Sequence, residues 1–150
     1  MIAETQTLEG VTSLQPDGSH IIMWDLENCT LEEARDILRE VQRKYGLSHI
    51  YIVSDLEGSY RAWCFSKVDF QTLLSILVDS LSILDYSFFY YTVKRRKATL
   101  RTSTKKGRGI QEVVSVLESY PVSIPSSAME RVVYDTGLEK EGFSVLLGDD

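Results

Sequence analysis

Two hydrophobic periods alternate along the chain. His20 to Trp24 is a short unbroken apolar run, the signature of a buried strand. It ends at Asp25-Leu26-Glu27-Asn28. Thr30 suits a helix N-cap, and Glu33 three residues later completes a capping-box pattern. Leu31, Ala34, Ile37, Leu38 and Val41 then recur at helical spacing until Gly46. Ile50–Val53 and Tyr60–Phe65 read as strands of a hairpin, joined by a turn over Asp55–Ser59 that contains Gly58. Val68 to about Leu81 reads as a helix with a broad apolar face. Tyr86–Val93 is aromatic and predicts a fourth strand, with Ala98–Thr102 a fifth across the Lys94-Arg95-Arg96-Lys97 turn. Ile110–Tyr120 predicts a third helix, Pro121–Ser127 a loop and Arg131–Asp135 a last strand.

This order predicts an α+β protein. Its core is a β-α-β-β-α-β arrangement of the RRM or ferredoxin-like kind, with an antiparallel sheet, a basic β-hairpin extension and a C-terminal helix. Residues 1–19 read as a flexible lead, 20–137 as a single domain and 138–150 as an acidic tail. Helices are expected on one face of the sheet, leaving the other open, often for nucleic acid.

Composition changes this picture little. Apolar residues make up 43% and charged residues 25%, as in soluble globular proteins. Neither a span of ~18 apolar residues nor a signal-peptide pattern is present, so a cytoplasmic protein without membrane contact is expected. Cys29 and Cys64 lack metal-site spacing and read as ordinary thiols. His20 and His49 read as strand-entry residues rather than ligands.

Charge changes it more. The net charge is −6, yet eight of the sixteen basic residues lie between Lys94 and Arg108 with no acid among them. That segment carries +8 and the rest of the chain −14. Screening makes the local field decisive, so the stripe can bind a phosphate backbone.

Three groups of residues carry candidate chemistry. Asp25 and Glu27, at i and i+2 of a strand, project to one face, with Leu26 toward the helices. Two adjacent carboxylates suit Mg²⁺ or Mn²⁺; equally, Asp, Glu and Asn are common in solvated strand-to-helix loops. Ser59 and Arg61 share a face of the next hairpin, where a hydroxyl and a guanidinium can hold a phosphate or simply face water. Asp85 opens the aromatic segment. The cations that follow, Lys94, Arg95, Arg96, Lys97, Arg101, Lys105, Lys106 and Arg108, with Ser103, could embrace triphosphate or template phosphates or form a solvated turn.

Taken together and in this order, these residues resemble the archaeo-eukaryotic primase superfamily and its primase-polymerases. Trp24-Asp25-Leu26-Glu27 is similar to the family's first motif, an acidic D-x-D/E at a strand end. Leu84-Asp85-Tyr86-Ser87 is similar to the third, and Arg96 with Leu100-Arg101-Thr102-Ser103-Thr104-Lys105-Lys106-Gly107 to its basic continuation. The second motif, S-x-H, matches as Ser59-Tyr60-Arg61, with Arg61 where the family has histidine. Arginine can keep a phosphate contact but does not titrate near neutral pH. The resemblance implies Mg²⁺ or Mn²⁺ held by Asp25, Glu27 and Asp85. It implies nucleoside triphosphate and phosphate contacts from Ser59, Arg61, Arg96, Arg101, Ser103, Lys105 and Lys106, and strand contacts from Lys94, Arg95, Lys97 and Arg108. The expected function is primase- or polymerase-like nucleotidyl transfer on single-stranded DNA in replication, alongside other replication proteins, as in a phage or plasmid. Tyr60, Trp63 and Tyr90 would stack on bases if they face the open side. Two alternatives stay open. One is an inactive single-strand-binding module, favoured by Arg61. The other is an acidic protein-interaction or inhibitor domain.

Overall fold

The computed structural model describes residues 7–54, 59–101, 112–125 and 132–135. In chain order these form β1 (Thr7–Thr12), β2 (His20–Leu26), α1 (Leu31–Tyr45), β3 (Ile50–Ser54) and β4 (Tyr60–Val68). They continue as α2 (Phe70–Asp79), a 3₁₀ turn (Leu81–Ile83), α3 (Tyr86–Arg95), β5 (Thr99–Arg101), β6 (Glu112–Leu117) and β7 (Val132–Asp135). The result is α+β, with two antiparallel sheets in the orders β2-β4-β3-β6 and β5-β1-β7.

Register decides which side chains share a face. Ile22, Trp24 and Leu26 stand opposite Cys64, Ala62 and Tyr60, and Ile50 and Ile52 join Cys64 and Ala62 from β3. The two helices cover this face. Trp24 Nε1 donates to Ser80 Oγ at the end of α2, 3.0 Å away. From α1, Gln42 Nε2 donates to the carbonyls of Ser48 and Leu117 at 3.0 and 2.8 Å. Leu26 thus points to the helix side, as the alternation required. On the opposite face of β2, Ile21 and Met23 are also fully buried. Beside them the chain just after β1 runs along β2, with the Ile21 N–H donating to the Ser13 carbonyl at 3.0 Å. A strand covered on both sides needs a continuous apolar run, which is why His20–Trp24 lacks alternation.

α1 follows its pattern closely. Thr30 Oγ1 accepts from the Glu33 N–H at 3.1 Å, and the Glu33 carboxylate accepts from the Thr30 N–H at 2.8 Å. Gly46 ends the helix at φ +64°, a left-handed position that glycine adopts without Cβ strain. Cys29 and Cys64 are free thiols.

Four expectations are corrected. Tyr86–Val93 is helical rather than a strand: Asp85 caps α3 by accepting from the Phe88 N–H, and Phe88 and Thr92 are buried one turn apart. Cap and packing override the β-preference of the aromatic run. The basic β-hairpin is therefore absent. Lys94 and Arg95 form the last turn of α3, Arg96 is its left-handed cap, and among the described residues Thr99–Arg101 is extended, pairing with β1. The helix expected over Ile110–Tyr120 is replaced at Glu112–Leu117 by β6, whose β-branched residues pair with the edge of β3. Within the expected flexible lead, Thr7–Thr12 is β1.

The β-α-β-β-α order is present from β2 to α2, but its next strand is reduced to one bridge, Leu26 to Leu84. β6 takes the sheet's fourth place, at the far edge. The hairpin of β3 and β4 forms as expected, although its turn at residues 55–58 lies outside the described residues. The last strand forms as β7.

Candidate active site

The end of β2 is held from both sides. Leu26 pairs with Tyr60 of β4 on one side and with Leu84 on the other. Around that second contact the Glu27 N–H donates to the Ile83 carbonyl, and the Asp85 N–H donates to the Asp25 carbonyl, each at 2.8 Å. Asn28, at φ 55°, then turns the chain toward the α1 cap, in a conformation that a short polar side chain tolerates. These bonds bring the backbone at Asp85 beside the end of β2, which lies far from it in the chain.

Asp85 acts electrostatically on Glu27. The Asp85 charge raises the pKa of Glu27, with smaller contributions from partial burial and a hydrogen bond between the two groups. Like charges share the site, so a proton or a cation is favoured there. Asp85 Oδ1 also accepts from the Phe88 N–H at 3.1 Å, which fixes the carboxyl at the start of α3.

Asp25 is half-buried and stands opposite Arg61 in the β2–β4 register. Arg61 is only 7% exposed, and its Nε has no hydrogen-bond partner among the described residues. It lies between Asp25 and Val53, on the face away from α1 and α2. The register therefore places a buried guanidinium opposite Asp25.

The remaining expected site residues are spread more widely. Ser59, half-buried, immediately precedes β4. Arg96 lies at the opposite end of β2 from Glu27: its guanidinium is 5.0 Å from the Phe70 ring centroid and its charge acts on His20. At ~3.3 Å per residue of strand, His20 and Glu27 are roughly 23 Å apart. The structure does not bring Arg96 to the carboxylates. Lys94, Arg95 and Lys97 share that distant end of α3. Arg101 pairs with Gly10 through β5 and β1. Ser103, Lys105, Lys106 and Arg108 lie outside the described residues.

Sequence reasoning missed part of the face that carries Arg61. Trp63 and Phe65 stack there at 6.5 Å and 20°, and Tyr51 of β3 lies 5.8 Å from Phe65. The signal was available: Arg61, Trp63 and Phe65 are i, i+2 and i+4 of one strand. All three rings are half-buried. Tyr60 is on the opposite face, packed against the core.

Among the described residues, no group of three His, Cys, Asp or Glu side chains stands at metal-binding spacing. The acids present still fit a hard divalent cation in kind. Glu27 and Asp85 supply carboxylate oxygens in mutual repulsion, and Asp25 lies near the end of β2. No family model, no curated protein and no solved structure matches the chain.

Proposed function

We propose that the chain is a primase-polymerase-like nucleotidyltransferase domain that acts on single-stranded DNA during replication in the cytoplasm. The observation that carries this reading is the contact between Glu27 and Asp85, made by backbone pairing between the end of β2 and the start of α3. A stable fold has no need to press two carboxyls together, and a site for a cation does.

Asp25, Glu27 and Asp85 would hold Mg²⁺ or Mn²⁺, which when bound would activate a 3′-hydroxyl and neutralise a leaving pyrophosphate. The chain's own groups do the rest. The N-cap bond of Asp85 orients its carboxyl, and the bridge at Leu26 sets its distance from β2. Arg61, buried beside Asp25, would take a phosphate oxygen at its unpartnered Nε.

The test is primer synthesis and extension on single-stranded DNA with Mg²⁺ or Mn²⁺ and either nucleotide type. Metal-dependent product that disappears in Asp25→Ala and Glu27→Gln supports the reading. No product, or product unchanged by both substitutions, overturns it.

A second reading is an inactive single-strand-binding module. The stacked Trp63–Phe65 pair and Tyr51 favour it, because they form a ring surface independent of the carboxylates. It predicts strand binding that survives Asp25→Ala.

A further inference from the structure

Among the described residues, one side of α3 is exposed. Phe88 and Thr92 face the core. Tyr86, Tyr90 and Val93 expose 70%, 44% and 45% of their surface, and exposed Lys94 extends the same stripe. Tyr86, Tyr90 and Lys94 are successive i, i+4 positions, so one side of the helix presents ring, ring and cation. Lys94 Nζ lies 5.7 Å from the Tyr90 ring centroid, and the Arg95 guanidinium 4.8 Å from that of Tyr91. No acid occurs from Tyr86 to Arg108, and the helix leads into four consecutive cations, Lys94 to Lys97.

We propose that this stripe is a track for single-stranded nucleic acid, with Tyr86 and Tyr90 stacking on nucleotides and Lys94 and Lys97 engaging phosphates. Charge complementarity selects the partner: the track is purely cationic on a chain whose remainder is acidic. Spacing agrees. Tyr86 and Tyr90 are ~6 Å apart along the helix axis, close to two stacked nucleotide steps of ~3.4 Å each. Two tyrosines and one valine are too little apolar surface for a helix that lies in a membrane. The track begins at the Glu27–Asp85 pair. The guiding of a strand to or from that pair rests on the proposed nucleotidyl transfer; the binding itself does not.

The experiment is fluorescence anisotropy of a labelled oligothymidylate with the full chain, in EDTA and across a salt series, so that binding is measured without metal or catalysis. Tyr86→Ala with Tyr90→Ala should weaken binding about tenfold or more, from the typical loss per stacked base. Tyr90→Phe keeps the ring and should restore the affinity lost in Tyr90→Ala. Lys94→Gln should lower the slope of log affinity against log salt by about 0.7. All these positions are exposed, and a circular dichroism melt confirms that each variant is folded. Unchanged affinity in the folded double variant together with an unchanged salt slope in Lys94→Gln overturns the track. So does a chain that ignores the oligonucleotide but binds phosphatidylserine vesicles or a polyglutamate peptide through the same residues. Strand binding by a chain that makes no product sinks the nucleotidyl-transfer reading and leaves the track standing. Activity in a chain whose strand affinity ignores Tyr86, Tyr90 and Lys94 does the reverse.

Discussion

Replacing Asp85 separates the two tasks its carboxylate performs. The carboxylate caps α3 through the Phe88 N–H, and it raises the pKa of Glu27. Asp85→Ala abolishes both. Loss of an N-cap side chain costs about 1 kcal/mol, which for a chain of this length lowers the melting temperature by about 2–4 °C. The relieved repulsion offsets little of this, because interactions between exposed charges are weak. Asp85→Asn removes the charge but retains a side chain that caps equally well, so its stability should stay within about 0.5 kcal/mol of wild type. Both variants should let the Glu27 pKa fall toward its ordinary 4.5. Thermal melts of the three proteins measure the first effect, and carboxyl-resolved NMR titration of Glu27 the second. In a primer-extension assay both variants should lose more than the ~10–100-fold typical of an outer-shell partner of a metal. The reasoning is refuted if Asn destabilises as much as Ala, or if the Glu27 titration is unmoved in both.

Three further outcomes are expected. Ser13 Oγ accepts from the Ala98 N–H at 2.9 Å and is hydrogen-bonded to His20 Nδ1 at 2.8 Å. Burial first, then Arg96, lowers the His20 pKa, with Asp69 opposing. A lowered histidine pKa means that the unfolded state takes up the proton first on acidification. Stability should be full above pH ~6.5 and fall as pH drops from there toward the lower folded value; denaturant melts across that window should show the fall, and His20→Asn should flatten it. Gln42→Leu leaves the Ser48 and Leu117 carbonyls without their side-chain donor and should cost about 2–4 kcal/mol, read from urea midpoints. Trp24→Phe loses the bond to Ser80 and opens space in the core, and should cost about 2–3 kcal/mol in the same assay.

Much of the frame was legible before any coordinates. The run His20–Trp24, the Thr30–Glu33 capping box, the Gly46 stop and the β3–β4 hairpin all follow from local rules, because each is decided within a few residues. The Asp25–Glu27 spacing was legible too, but β2 ends at Leu26, so Glu27 lies just past the strand whose alternation was expected to align the pair. Local rules misread Tyr86–Val93 and Glu112–Leu117. The first is aromatic, yet a single cap at Asp85 and two buried positions make it a helix. The second becomes a strand because β3 offers an open edge. The meeting of Glu27 with Asp85 belongs to tertiary structure alone. It depends on Leu84 pairing with Leu26 across more than fifty intervening residues, and no sequence period encodes a contact of that range. The outward stripe of α3 has the same origin: only after Phe88 and Thr92 are buried do Tyr86, Tyr90 and Lys94 become a surface.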